Sequence, residues 1–242
     1  MKLANTEYNT IGAYKLLMKS LKEKPLSPIE NATNTASYVF FNKKKEIAML
    51  TVSETHERRG YFATISVRTI RKSATEGYFI KDLGKMNLRS LADNKESLNI
   101  LNLELDYLYR GNYYATRMAA VAAELAKKQG YKYLITYAPH DPIISFKNIN
   151  NKISDHETLG DRTELFFKSC GFKDIGTYSD KHTRGDGLRV YARAVNQPIP
   201  LKYNGSRKAI NIERESKFIS SHIQKRMEAN EANGEMVRDV AK

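Results

Sequence analysis

The sequence holds one cysteine, Cys170, among 242 residues. A lone thiol excludes an internal disulfide and suits a reducing cytoplasm, which is the expected compartment. No apolar run approaches the roughly 18 residues of a membrane span, so no membrane partner is expected. Met1 to Tyr14 lack the apolar stretch of a secretory signal, and without secretion the sequons at Asn31 and Asn204 carry no meaning. There is no internal repeat. Acid is also scarce relative to base: 27 Asp and Glu stand against 40 Lys and Arg, a net charge of +13. The excess is spread along the chain, with its largest share in residues 31–96. It draws the protein toward polyanions such as nucleic acid, acidic protein surfaces or phosphorylated cofactors. A basic surface with no such partner is the plainer alternative, because no single Lys/Arg run dominates.

The length suits one domain with extensions. Residues 10–22 carry Ile11, Tyr14, Leu17, Met18 and Leu21 at helical spacing, and Pro25 and Pro28 stop that helix. Runs 36–42 and 46–54, separated by Lys43, Lys44 and Lys45, read as a hairpin with a basic tip, and a third strand follows at 61–70. Residues 78–96 read as a short strand and then a turn or helix. The longest strand candidate is 97–109. An Ala-rich helix spans 116–129 and ends at Gly130, which suits a C-terminal cap. A strand at 131–138, a polar stretch at 139–160, a short helix at 161–170 and strands at 172–178 and 187–195 complete the core. Residues 202–211 read as a basic loop. Residues 212–242 read as a peripheral helix with a frayed end, with docking on the domain favoured over pairing with a second copy or contact with a polyanion. The expected division is 1–35 as an N-terminal helix and loop, 36–196 as the domain, and 197–242 as a basic linker and charged helix. A monomer and a homodimer both stay open. This order predicts an α/β fold of the α+β type: a mixed, mostly antiparallel sheet with one right-handed βαβ crossover and flanking helices.

The chemistry concentrates between Leu98 and Thr116. Strict alternation puts Leu101, Leu103, Leu105 and Tyr107 on one face, and Leu98, Ile100, Asn102, Glu104, Asp106 and Leu108 on the other. Carboxylates buried without partners cost several kcal/mol. The row Asn102, Glu104, Asp106 therefore opens either on a cleft or on ordinary solvent. The strand runs through Arg110, Gly111, Asn112, Tyr113, Tyr114, Ala115 and Thr116 into the helix. The start of that helix presents unpaired N–H groups and partial positive charge, a ready phosphate site, to which Arg110 adds a full charge.

In this segment the chain resembles the GNAT superfamily of N-acyltransferases, over about residues 36 to 195. Arg110 and Ala115 match the ends of that family's loop motif, while Tyr113 stands where the family usually has Gly. The late segment Thr163 to Phe172 resembles the family's helix that ends in an aromatic pair, three residues and Gly-Phe. The resemblance implies a GNAT-like mixed sheet and an acyl-CoA donor, acetyl-CoA by default. Its pyrophosphate would be held by the stretch Tyr107, Leu108, Arg110, Gly111, Asn112, Tyr113, Tyr114, Ala115, Thr116. The implied acceptor is an amine, plausibly on a nucleic acid or an acidic protein. Amine acylation needs a base; Glu104 is the first candidate and Asp106 the second. A backbone N–H near Tyr107 or Leu108 is the candidate donor to the thioester carbonyl. The family's Tyr acid would fall at Phe167, which has no proton to give, so either Tyr137 or Tyr178 takes its place, or the acid step is dispensable, or the protein is inactive. A GNAT-fold protein that binds nucleic acid or a protein without catalysis is the alternative, and a related enzyme using a different donor, such as an aminoacyl-tRNA, is a third.

Three other signals carry less. His140-Asp141 and Asp155-His156, with His56, match no metal-ligand spacing, and no metal is expected. Cys170 before Gly171 reads as a packing residue at a helix end rather than a nucleophile. Arg58, Arg59, Tyr61, Phe62, Arg68, Arg71 and Lys72 interleave cations with aromatics, a pattern that holds phosphates and stacks bases if it forms one surface.

Overall fold

The computed structural model describes residues 2–23, 34–57, 60–73, 77–90, 96–139, 159–178, 188–203 and 206–232. The elements in chain order are α1 (Lys2–Glu23), β1 (Asn34–Phe41), β2 (Ile47–Glu57), β3 (Gly60–Ser73), β4 (Gly77–Ser90), β5 (Ser97–Leu105), a 3-10 turn (Tyr107–Tyr109), α2 (Tyr114–Lys128), β6 (Tyr133–Pro139), α3 (Leu159–Ser169), β7 (Lys173–Tyr178), β8 (Leu188–Ala194), β9 (Pro200–Tyr203), β10 (Ser206–Ala209) and α4 (Ile212–Ala232). The main sheet is eight-stranded, in the order β1-β2-β3-β4-β5-β6-β8-β7. Only β5 and β6 pair in parallel, joined through α2. The expected mixed sheet with one crossover is therefore the observed one. None of the described helices is long and apolar enough to cross a membrane.

Strand alternation builds the core. Ala48, Leu50 and Val52 of β2, Ala63, Ile65 and Val67 of β3, and Met86 and Leu88 of β4 line one face. Against it lie Met118, Ala119, Val121, Ala122 and Leu125 of α2, with Phe167 and Cys170 from α3 and its end. Small alanines let α2 approach the sheet closely. A second cluster fills the opposite face, where Ile11, Ala13 and Leu17 of α1 meet Val39, Ile47 and Met49 together with Ile219 and Ile223 of α4. Each buried isoleucine of α4 contributes about 1.5–3 kcal/mol. The charged C-terminal helix is thus a core element, and its few apolar anchors are the ones that pack.

Two polar links fasten α4. The Val39 N–H on edge strand β1 donates to Ser216 Oγ at 2.8 Å, which covers an edge that would otherwise be free to pair. Arg117 of α2 is buried, donates to Glu215 Oε1 at 2.7 Å and lies 4.7 Å from the Phe40 ring centroid. Its Nε and Nη1 have no partner, so Glu215 is its one counter-charge among the described residues. At the other end of α2, buried Glu54 accepts from Tyr61 OH at 3.0 Å, Gln129 Nε2 at 3.2 Å and Asn34 Nδ2 at 3.1 Å. Burial and this carboxylate push the Tyr61 hydroxyl's pKa upward.

Three sequence expectations change. β4 is a full strand over Gly77–Ser90 rather than a short one. Residues 200–209 form a two-stranded hairpin rather than a loop. The strand from Ser97 ends at Leu105, because Asp106 starts a 3-10 turn.

Two outcomes test this packing. Removing residues 212–242 uncovers Val39 and Met49 and strips Arg117 of its carboxylate, so the truncated protein is expected to aggregate; a folded monomer in size-exclusion chromatography would contradict it. A Cβ at Gly84 would lie 2.1 Å from the Glu104 carbonyl oxygen, so Gly84→Ala is expected to cost about 2–4 kcal/mol in chemical denaturation.

Candidate active site

The site begins with two irregularities. Leu88 pairs with Ile100 while Asn87 pairs with Asn102, so Leu101 is an extra residue in β5. Such a bulge shifts the alternation by one. Leu98 and Ile100 before it, and Leu103 and Leu105 after it, therefore all pack toward α2. This overturns the faces that strict alternation gives: Leu98 and Ile100 do not share a face with Asn102 and Glu104. Leu101 itself is 51% exposed. The second irregularity lies in β4, where Val67 pairs with Gly84 and Arg68 with Asp82, leaving Leu83 as the extra residue.

From the bulge onward β5 and β6 part. Their parallel pairing runs from Ser97↔Tyr133 to Ile100↔Thr136, with no further pairing among the described residues. β6 continues to Pro139 against β8. A wedge therefore opens between β5 from Leu101 on and β6 from Tyr137 on. The Asp106 N–H donates to the Leu83 carbonyl of β4 at 2.8 Å. Alternation then turns the N–H and C=O of Leu103 and Leu105 away from β4, into the wedge.

The chain leaves β5 through a fastened loop. Asp106 Oδ1 accepts the Leu108 N–H at 3.1 Å, and Oδ2 lies 3.0 Å from Lys81 Nζ. The Tyr109 ring sits between two cations, with Arg71 at 4.6 Å and Lys81 at 4.7 Å from its centroid. Asn112 Nδ2 donates to the carbonyls of Tyr109 at 3.2 Å and Arg110 at 3.4 Å. The Lys81 ammonium and the Leu108 N–H hold the Asp106 carboxyl below the usual carboxylate range. Because that pKa is lowered on folding, the loop fastening persists through neutral pH and is lost only as pH falls below that range.

Helix α2 then starts without a side-chain cap. The Arg117 N–H makes the first turn's bond to the Tyr113 carbonyl at 3.1 Å. The N–H groups of Tyr114, Ala115 and Thr116 precede that bond and have no partner within the helix. Tyr113 has φ 67°, the left-handed conformation that glycine adopts freely, and Gly111 has φ 75°. Tyr113 bears a cost of about 1–2 kcal/mol for this backbone. Tyr114 points inward: its ring is buried, its hydroxyl is 2.7 Å from Asn42 Nδ2, and Phe40 packs edge-on against it. Only its main chain faces the loop. Arg110 is exposed beside this turn.

The candidate catalytic groups divide. Glu104 lies on the face away from α2; its Oε1 accepts from Asn102 Nδ2 at 2.9 Å and its Oε2 is 3.5 Å from Lys85 Nζ. Tyr137 falls on the same face, because its neighbours Leu134 and Thr136 are buried toward α2. Asp106 is committed to Lys81 and is the weaker base. The Leu108 N–H is spent on Asp106, so it is not available to polarise a carbonyl. Sequence reading missed the amides of Leu103 and Leu105 as donors, since nothing but the bulge exposes them. Glu104 thus forms an ion pair with a neighbouring strand residue, Lys85 of β4, while Arg68 pairs with Asp82.

The set-aside signals resolve as follows. His56 packs against Tyr61, ring centroids 5.2 Å apart; His140, Asp141, Asp155 and His156 lie outside the described residues. Among the interleaved cations, Arg58 and Arg59 also lie outside, Tyr61 and Arg71 point to the α2 face and Phe62 and Arg68 to the other, so they form no single surface. Phe167 is buried against Phe166 and Phe172.

No protein-family model matches the sequence, and no curated protein matches it significantly. Solved structures do share the arrangement in part. An aminoglycoside 6'-N-acetyltransferase complexed with coenzyme A is 13% identical, with a TM-score of 0.38 over 58% of this chain and 76% of that one. Nourseothricin acetyltransferase is 11% identical, with a TM-score of 0.39 over 68% of this chain and 90% of that one. Ard1 from Thermoplasma volcanium is 12% identical, with a TM-score of 0.37 over 52% and 75%.

Two measurements check the local chemistry. Burial pushes the Cys170 thiol up to about 11, so a thiol reagent at neutral pH is expected to leave the native protein unlabelled and to react only in denaturant. Tyr113→Val is expected to be less stable than Tyr113→Gly by about 1–2 kcal/mol in thermal melts, because a β-branched residue tolerates the left-handed backbone least.

Proposed function

We propose that this protein transfers an acyl group from a coenzyme A thioester, acetyl-CoA by default, to an amine. The observation that carries the proposal is the wedge between β5 and β6, opening beside the uncapped start of α2. A long, thin thioester with a charged diphosphate needs both features: main-chain hydrogen-bond groups along a slot, and a concentration of positive potential at one end. The residues present fit such a group. The amides of Tyr114, Ala115 and Thr116, with the Arg110 guanidinium, would hold the diphosphate. The N–H groups of Leu103 and Leu105 would hold the extended arm and draw on the thioester carbonyl. When bound, the thioester supplies an electrophilic carbonyl carbon and a thiol leaving group.

The chain's own residues supply the proton chemistry. Asn102 fixes Oε1 of Glu104, and Oε2, 3.5 Å from Lys85 Nζ, would take the acceptor ammonium's proton, directly or through water. Tyr137, on the same face of the neighbouring strand β6, is the candidate to return a proton to the departing thiolate. The acceptor is an amine reached from the face that carries Glu104. The net charge of +13 favours one borne by a polyanion, a nucleic acid or an acidic protein. A non-catalytic role, with the same slot holding a ligand without turnover, draws support from Phe167, whose buried ring has no proton to donate.

Calorimetric titration with acetyl-CoA is expected to show saturable binding, weakened at least about tenfold by Arg110→Glu. In the reaction, Glu104→Gln is expected to lower kcat by about a hundredfold or more with little change in donor affinity. Absence of binding would refute the donor site. Binding without turnover on any amine would favour the non-catalytic role.

A further inference from the structure

Strand β4, the neighbour of β5, carries a lysine on each face, and the two differ in what holds them. Lys81 lies over the Tyr109 ring and reaches Asp106 at 3.0 Å. That hydrogen bond, followed by lesser contributions from Tyr109, raises its pKa and keeps its nitrogen protonated. Lys85 sits across the ladder from Glu104, on the face away from α2. Its Nζ is 3.5 Å from Glu104 Oε2, longer than a normal hydrogen bond, and its side chain is 48% exposed. Asn102 occupies the other carboxylate oxygen. Among the described residues, the amine that pairs with the second oxygen of the candidate base is thus the protein's own Lys85.

We infer that Lys85 is a self-acylation site, at which the protein transfers an acyl group from a bound thioester to its own side chain. This rests on the reading of Glu104 and the wedge given above. Glu104 Oε2 takes a proton from the Lys85 ammonium. The freed amine nitrogen forms a bond to the acyl carbon as the carbon–sulfur bond breaks. The electron pair leaves on sulfur, which takes up the proton that the nitrogen sheds as the amide forms, so one acyl thioester yields one amide on Lys85 and one free thiol. No oxidant or further reactant is needed. The product removes a cation from beside Glu104.

The test incubates the full chain with acetyl-CoA and follows acetyl incorporation by intact mass and peptide mapping, with donor binding measured in parallel by calorimetry. The expected result is a single acetyl group on Lys85, formed at a rate independent of protein concentration. Incorporation at that site is lost in Lys85→Arg and slowed about tenfold or more in Glu104→Gln. Exposed lysines such as Lys43 and Lys44 report uncatalysed background in the same samples. Donor binding with Lys85 labelled no faster than Lys43, or labelled equally in Glu104→Gln, overturns the self-acylation and leaves the donor site standing. No donor binding at all overturns both.

Discussion

Everything functional here depends on one constraint: β5 is made to leave its parallel partner. Four residue pairs tie β5 to β6, and then Leu101 is inserted where the ladder has no place for it. On the other edge, β4 grips the departing segment closely, through Gly84, whose missing side chain admits the Glu104 carbonyl, and through the Asp106 N–H bonded to Leu83. β5 is therefore not frayed. It is held firmly on one side so that its main-chain groups on the other are left unpaired. Unpaired backbone groups inside a fold are costly unless something meets them, and here the main-chain groups of Leu103 and Leu105 face the opening between β5 and β6.

The same economy governs the loop that follows. Asp106, Lys81, Arg71 and Tyr109 form a stack of opposite charges and an aromatic ring that fixes the path into α2. A flexible loop would have to be ordered on binding, and the cost of ordering would come out of the affinity. Here the residues that fasten the loop differ from those whose amides remain open. Asp106 is thus better understood as the clasp of the turn than as a base, while Glu104, oriented by Asn102, is the carboxylate on which the proposed proton chemistry rests.

Much of this plan is legible in the sequence because it rests on periodicity and composition. The alanines and Gly130 mark α2, alternating apolar residues mark β2 and β3, and the direct run from β5 into α2 marks the loop. What is not legible has physical causes. A bulge has no obligatory residue, so nothing in Leu98 to Leu105 announces that Leu101 breaks the alternation, and the faces come out wrong beyond it. Tyr113 hides a left-handed turn behind a side chain that disfavours it. The role of α4 is obscured because its outward residues are so heavily charged; only Ile219, Ile223, Ser216 and the buried partner of Glu215 reveal how it packs.

The single cysteine has a practical corollary. Cys170 is enclosed between α3, β8 and α2, and its carbonyl is held by Arg193 at 2.8 Å. A new cysteine placed on the rim of the slot would then be the only thiol that a maleimide dye encounters in the native state. Fluorescent or spin labels could be installed there without first building a cysteine-free background, and the width of the slot could be followed directly in solution.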